Sequence, residues 1–364
     1  MKISKVHIQN IKIPLLRPFR TAVREVTHCE QVVVTLEADN GIIGIGCATP
    51  TPAISGETME SVSHVIREYY TPKLLKQPVD TYEYLIYSLE NSIKGNKSAL
   101  CAVDMALHDL FARLCQKSVR GLLGGRKLNF ATDHTVSLDS PDVMAKHALE
   151  LKTSGFKSLK IKTGDADPKI DLARIFAVHE AVGDSVTLRI DANQAWTTKS
   201  TLHIMREVDK YRIRIDFLEQ PLNLHDLAGM AFLKDRLNVP LVADESVYDL
   251  NSLRIVLENK CADIVNIKLL KFGGISGAKR AAHLAHAFQI PCLISCMLES
   301  RLGLTAATHL ACALPNATFF DLDAGHMLVP QKDPFIGGVK IENGDLIFND
   351  ELGLGITMPN SEVV

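Results

Sequence analysis

The chain has almost no net charge: 40 Lys and Arg against 42 Asp and Glu leave −2 over 364 residues. That balance supplies no general field for nucleic acid or an anionic membrane, so any electrostatic function has to be local. No uncharged apolar run reaches 18 residues, which removes the signature of a membrane-spanning helix. Met1 to Pro14 alternates charged and apolar side chains and lacks the apolar core and cleavage site of a secretory leader. The eight cysteines (29, 47, 101, 115, 261, 292, 296 and 312) form no C-x-x-C pair and stand mostly in apolar contexts, as buried reduced thiols do. These absences describe a soluble, cytoplasmic protein with neither a nucleic-acid nor a membrane partner. His28, His108 and His326 show no H-E-x-x-H spacing, so zinc is not expected. Gly273-Gly274-Ile275-Ser276-Gly277 precedes a helix without the G-x-x-x-x-G-K-[ST] spacing of a phosphate loop. The one tryptophan, Trp196, reads as a packing residue.

A hydrophobic fraction of 46% gives ample core, and the length calls for one large barrel-type domain or two domains. Residues 2–13, 31–38 and 42–47 have strand character, the last two joined at Asp39-Asn40-Gly41, a hairpin signal. Loops are expected at 18–25 and 49–56, and helices over 57–73, 79–92 and 96–117. This is a compact α+β unit, closed by the turn at Gly121 to Gly125.

From about residue 130 short apolar runs alternate with amphipathic helices. The strand candidates are 133–137, 157–162, 186–191, 214–219, 240–244, 263–268, 292–296 and 318–323, the pattern of a (β/α)8 TIM-type barrel. Charged residues fall at the C-terminal ends of these strands: Lys162, Asp191, Glu219, Asp244, Lys268 and Asp321, the first five at spacings of 29, 28, 25 and 24. One such residue is usually just solvated. An unbroken series converges on one mouth, the face where such barrels carry their active sites.

Asp191, Glu219 and Asp244 come from three adjacent strands, so their carboxylates should meet. Three anions together need a cation, and an all-oxygen set favours Mg²⁺, with Mn²⁺ as the alternative. Lys162 lies one strand before the trio and Lys268 one strand after it. A substrate carboxylate at the metal would present its α-carbon between two acid/base groups on opposite faces, with the enolate stabilised by the metal. Lys160, two residues from Lys162 on the same strand face, and the metal both disfavour protonation of a nearby lysine, a reason for Lys162 to act as a base.

The ordered set Lys160-Ile-Lys162, Asp191-Ala-Asn-Gln-Ala-Trp196, Leu218-Glu-Gln-Pro221, Ala243-Asp-Glu-Ser246 and Asn266-Ile-Lys268, followed by Gly273-Gly274, resembles the enolase superfamily and within it the muconate-lactonizing subgroup. The resemblance implies Asp191, Glu219 and Asp244 as metal ligands, Lys162 and Lys268 as catalysts, and Lys160 as a holder of the substrate carboxylate. It implies a modified barrel over 126–330, under an α+β capping domain (1–125, specificity loops near 19–25 and 50–58) that the segment 331–364 returns to complete.

Asp321-Leu322-Asp323 resembles the D-x-D motif of the subgroup's dipeptide epimerases, in which acids at the eighth strand receive the substrate ammonium; alternation places both on one face. Phe19-Arg-Thr-Ala-Val-Arg24 is similar to the specificity loop of L-Ala-D/L-Glu epimerases, and implies that Arg24 meets a glutamate side chain; Glu25 beside it is a competing partner. Thr135, Cys296 and Met297 are expected to line the substrate site. The activity implied is dipeptide epimerisation, an isomerase reaction inverting the C-terminal residue by 1,1-proton transfer, with L-Ala-D/L-Glu from cell-wall peptides as the substrate. Epimerases of hydrophobic or cationic dipeptides, N-acylamino acid racemases and cycloisomerases share the motifs, and a non-catalytic metal-dependent binder is the alternative of another class. A homo-oligomer is compatible with the sequence.

Overall fold

Alternating apolar and polar residues make a long edge strand, β1 (Ile3–Arg20), paired antiparallel with β2 (Glu25–Ala38), which pairs with β3 (Ile43–Ala48) across the Asn40-Gly41 turn. The structure, a computed structural model, describes residues 1–126, 129–348 and 350–359. Positions 127–128, in the expected barrel domain, and 349 and 360–364, in the expected C-terminal segment, lie outside the described residues. The β1–β2 ribbon reaches further than the sequence pattern indicates. Phe19 sits opposite Val26 and Arg20 opposite Glu25, so the loop expected over 18–25 shrinks to 21–24. Pro14 and Pro18 hide the strand in the sequence, yet an edge strand tolerates proline, and the register shift between Pro14 and Phe19 absorbs the interruption.

Helices follow at Met59–Val65, Tyr82–Glu90 and Lys97–Leu114. The last lies directly on β3, which requires glycine there. A Cβ on Gly44 would stand 2.4 Å from the Ala106 carbonyl oxygen, and one on Gly46 2.1 Å from that of Ala102. The alanine-rich face of the helix completes this close approach.

After a short strand, β4 (Phe130–Ala131), comes a parallel sheet: β5 (His134–Val136), β6 (Ser158–Lys162), β7 (Thr187–Asp191), β8 (Ile215–Glu219), β9 (Leu241–Ala243), β10 (Ile264–Lys268), β11 (Cys292–Ser295) and β12 (Ala317–Asp321), neighbours in that order. The sheet curls round until β12 meets β5: the Asp133 amide donates to the Phe320 carbonyl (3.3 Å) and the Leu322 amide to Thr132 Oγ1 (2.8 Å). This is the expected (β/α)8 barrel. Four strands stop short of the expected ends, β5, β9 and β11 by a single residue. Asp244 lies just past β9, and Asp323 lies past β12 as the residue capping the short helix Ala324–Met327, so Asp323 is placed by a turn and not by strand alternation. No helix among the described residues is long and apolar enough to cross a membrane.

Beyond the barrel, β13 (Ile336–Gly337), β14 (Lys340–Glu342), β15 (Asp345–Ile347) and β16 (Ile356–Thr357) are short; β15 pairs with β4 as well as with β14, and β13 pairs with β16. The buried Asp109 fastens this segment to the N-terminal unit. Its Oδ2 accepts the Ile45 amide (2.8 Å), and its Oδ1 accepts the Leu354 amide (2.7 Å) and Arg113 Nε (3.0 Å). Asp109→Ala strands two buried amides and a guanidinium. It is expected to cost about 3 kcal/mol of stability, read as a lowered urea midpoint; an unchanged midpoint would show that Asp109 carries no such tie.

Candidate active site

The C-terminal ends of the barrel strands open beneath the loop at 21–24 and the segment 53–57. Between them lies a cavity of about 420 Å³ whose wall includes Arg24, Thr135, Lys160, Lys162, Asp244, Lys268, Cys296, Met297, Asp321 and Asp323. Asp191 and Glu219 are not in that wall. They lie below it, 1% and 0% exposed, as strand-end residues of β7 and β8.

Each acid of the trio is held. Asp191 Oδ1 accepts the Asn193 amide (2.9 Å) and Oδ2 the Lys162 ammonium (2.5 Å). Glu219 Oε1 accepts Asn266 Nδ2 (2.5 Å), while its buried Oε2 accepts no hydrogen bond, Lys160 Nζ standing 3.5 Å away. Asp244 Oδ2 meets Lys268 (2.7 Å) and Oδ1 meets Lys271 (2.7 Å). The turns after β7 and β8 carry strained backbone to achieve this, with Asn193 at φ +41° and Gln220 at φ +34°. Gln220 then accepts the amides of Asp244 (3.0 Å) and Ser246 (3.2 Å), fixing the next turn.

The electrostatics follow from burial. Burial, with Asp191 and Asp244 close by, pushes Glu219 up to about 7 against the pull of Lys160. Burial opposes ionisation of Asp244 too, but Lys268 and Lys271 hold its carboxyl far below the usual carboxylate range. In return Asp244 and Glu219 keep the Lys268 ammonium above its ordinary value despite burial. The Lys160 ammonium contacts Asp321 and faces Glu219.

The expected meeting of the three carboxylates is not what the structure shows, since among the described residues the acids with oxygens all within 4.8 Å of one another are Asp133, Asp321 and Asp323, and lysines stand against two of the trio; its donor chemistry nevertheless suits a hard divalent cation. Its donors are all oxygen, one buried oxygen lacks a donor, and lysines stand as counter-charges on the other two acids. Asp191, Glu219 and Asp244 would hold such an ion.

On the far side of the cavity, β6 and β10 being separated by β7, β8 and β9, the two lysines stand on opposite sides of the eight-strand ring. Asp321 and Asp323, 3% exposed each, form the wall by β12. Thr135 donates its amide to Asp323 Oδ2 (2.6 Å). Cys296 donates its thiol to the Asp321 carbonyl (3.4 Å), and burial raises that thiol well above its usual value, so it is no nucleophile. Arg24 pairs with no carboxylate among the described residues, and burial lowers its affinity for its proton. The competing Glu25 is instead bound by Arg20 (3.0 Å), which also pairs with Asp139 (2.7 Å).

Trp196 donates Nε1 to Asp171 (2.8 Å) from a buried position. The helix start after Gly273-Gly274 is filled by Asp104, which accepts the Ile275 amide at 2.6 Å, where a phosphate would have to sit. Sequence reasoning missed Asp133, Lys271 and Glu245. Glu245 was in view beside Asp244; burial followed by the charge of Asp244 pushes it up to about 8, with Oε1 accepting Asn193 (3.1 Å). Asp133 and Lys271 gave no motif signal.

Comparison with known proteins places this geometry among relatives. Residues 3–124 match the mandelate racemase / muconate lactonizing enzyme N-terminal domain, and residues 143–362 the enolase C-terminal domain-like family. The chain is 39% identical to the L-Ala-D/L-Glu epimerase of Bacillus subtilis over 98% of its own length and 97% of the relative's. A substrate-liganded structure of that epimerase superposes with a TM-score of 0.95, covering 98% of this chain and 99% of the other. The dipeptide epimerase of Enterococcus faecalis, solved with Mg and L-Leu-L-Tyr, gives 0.94 at 34% identity, covering 98% and 100%. The N-succinyl-L-Arg/Lys racemase of Bacillus cereus is 33% identical over 98% of this chain and 95% of its own.

Proposed function

The chain belongs to the mandelate racemase/muconate lactonizing branch of the enolase superfamily, and from that premise we propose that it is a Mg²⁺-dependent dipeptide epimerase, an isomerase. The observation that carries the reading is one cavity with Lys162 and Lys268 on opposite strands, Asp244 in its wall with Asp191 and Glu219 below, and Asp321 and Asp323 in the wall by β12. We read 1–125 as the capping unit, 126–330 as the barrel and 331–364 as the segment returning to the cap. Cys29, Cys47, Cys101, Cys115, Cys261, Cys292 and Cys296 are thiols, which supports a reducing compartment, the cytoplasm.

In this reading Asp321 and Asp323 receive the substrate ammonium, and the C-terminal carboxylate sits over the trio with help from Lys160. Mg²⁺ supplies positive charge where the carboxylate gathers negative charge as the α-proton leaves. Lys162 Nζ takes or returns that proton on one face, and Lys268 Nζ does so on the other. Asp191 and Asp244, which hold the two ammonium groups, are also the acids that would hold the cation, so with Mg²⁺ bound each lysine would be freed to act. The unpaired Arg24 selects a substrate with a second carboxylate, as in L-Ala-D/L-Glu, and supports a role in reuse of cell-wall peptides.

A dipeptide panel incubated in deuterated solvent with Mg²⁺ tests this. One α-proton of L-Ala-L-Glu is expected to be replaced by deuterium as its epimer forms. A Mg²⁺-bound protein that exchanges no α-proton across the panel would mark a non-catalytic binder. An N-acylamino acid racemase would need no ammonium acceptor, so turnover insensitive to Asp321→Asn and Asp323→Asn would favour that activity. Arg24→Ala is expected to lower kcat/KM for L-Ala-L-Glu by about 10- to 100-fold more than for a hydrophobic dipeptide, the worth of a charge-assisted pair. Equal losses would remove Arg24 from specificity.

A further inference from the structure

The acid pair has a third neighbour that the proposed reaction leaves unused. Asp133, just before β5, is fully buried, and one oxygen from each of Asp133, Asp321 and Asp323 lies within 4.8 Å of the others. Three ionised carboxylates so close repel strongly away from water. The positions of their partners show how the cluster is tolerated. Asp133 Oδ2 accepts Arg189 Nη1 (2.7 Å); the same guanidinium donates to the Phe320 carbonyl (3.0 Å), has its Nε 3.5 Å from Asp216, and lies over the Phe217 ring. Asp321 Oδ2 accepts the Lys160 ammonium. Asp323 Oδ2 accepts the Thr135 amide, with His134 Nδ1 3.9 Å away and turned to donate to the Thr135 carbonyl (3.1 Å). Asp133 Oδ1 alone has no partner, although solvent cannot reach it.

A buried oxygen with no donor is costly in a carboxylate and satisfied in an acid, where it carries the proton itself. We propose that Asp133 is a positioning residue of the amine-receiving site: as a carboxylic acid it donates from Oδ1 to Asp321, which is thereby held between Asp133 and Lys160, leaving Asp323 as the acid that meets the substrate ammonium. The proposal rests on the reading of this pocket as a dipeptide site. Charge balance agrees with it. With Asp133 neutral, Arg189 faces Asp216 and Lys160 serves Asp321 and Glu219, while Asp323 has no Lys or Arg ion pair among the described residues, the place that one ammonium fills. An ionised Asp133 would add a further uncompensated charge to the cluster. Burial, reinforced by the charge of Asp321, also raises Asp133 well above the usual carboxylate range, whereas Lys160 holds Asp321 at about 2 against its own burial.

Two substitutions separate the donor from the charge. Asp133→Asn keeps an N–H toward Asp321 and an oxygen for Arg189; Asp133→Leu removes both. The infrared difference between wild type and Asp133→Asn at neutral pH is expected to contain a protonated-carboxyl C=O stretch, and its absence would overturn the proposal whether or not the protein turns over dipeptides. For L-Ala-L-Glu, KM is expected to stay within about threefold in Asp133→Asn and to rise about tenfold in Asp133→Leu with kcat little changed, the worth of one buried hydrogen bond. An Asn variant as impaired in KM as the Leu variant, or impaired where Leu fails to fold, would equally overturn it. Loss of turnover in the wild type with the infrared band present would sink the dipeptide reading and leave the proton on Asp133.

Discussion

Lys268→Met is expected to lower epimerisation by about 10²- to 10⁴-fold, the usual contribution of a positioned acid or base, while α-proton exchange of one epimer continues. The asymmetry comes from the placement of the two lysines. Lys162 ends β6 and Lys268 ends β10, on opposite sides of the ring, so each reaches one face of the α-carbon. Inversion needs a proton lost on one face and gained on the other. With Lys268 replaced, Lys162 still removes and returns the proton on its own face, so solvent deuterium enters without a change of configuration. Lys162→Met should show the mirror result, with exchange confined to the other epimer. Methionine keeps the length of the side chain and removes only the ammonium, and Lys271 remains on Asp244 Oδ1 to hold that acid. The measurement is mass increase and chiral analysis of each epimer in deuterated solvent. If both variants lose exchange from both epimers alike, the lysines do not divide the faces.

How much of this was legible depended on whether position came from a strand or from its surroundings. Lys162, Asp191, Glu219 and Lys268 close their strands, so period-two alternation and βα spacing located them from sequence alone. Asp244 and Asp323 sit beyond their strands, held by a Gln220 contact and by Thr135; βα spacing still located Asp244, while the family motif pointed to Asp323. Asp133 and Lys271 were invisible for a different reason. A lone acid before a strand and a lone lysine in a helical turn carry no pattern; their meaning arises from partners far off in sequence, Arg189 and Asp321 for one, Asp244 for the other. The β1–β2 ribbon was underread because two prolines interrupted its alternation. Arg20 therefore lies on the strand, where it pairs with Glu25, and Arg24 pairs with no carboxylate among the described residues.

Glu219→Gln should give the other large loss, and it separates metal affinity from stability. Glu219 is the middle member of the trio, on β8 between β7 and β9, with no exposed surface. One oxygen is taken by Asn266, and the other has no hydrogen-bond donor. In the protein without its cation that is an unfavourable place for a charge, as the rise to about 7 through burial and its acidic neighbours reflects. Glutamine keeps an oxygen for Asn266 and removes the charge, so the cation-free variant is expected to unfold at a temperature no lower than wild type. The same change removes a charged oxygen donor from a site whose cation preference rests on three carboxylates. Affinity for Mg²⁺ should fall by at least about 100-fold, beyond the usual cost of losing a mere supporting partner, and epimerisation should fall with it. Calorimetric titration with Mg²⁺ gives the first quantity and thermal unfolding without metal the second. Wild type stripped with a chelator should lose activity and regain it on adding Mg²⁺, whereas the variant should stay impaired at Mg²⁺ concentrations that restore the wild type. Unchanged Mg²⁺ affinity in Glu219→Gln would remove this residue from the ligand set. It would also direct attention to Glu245, the half-buried acid beside Asp244, whose buried Oε2 likewise accepts no hydrogen bond.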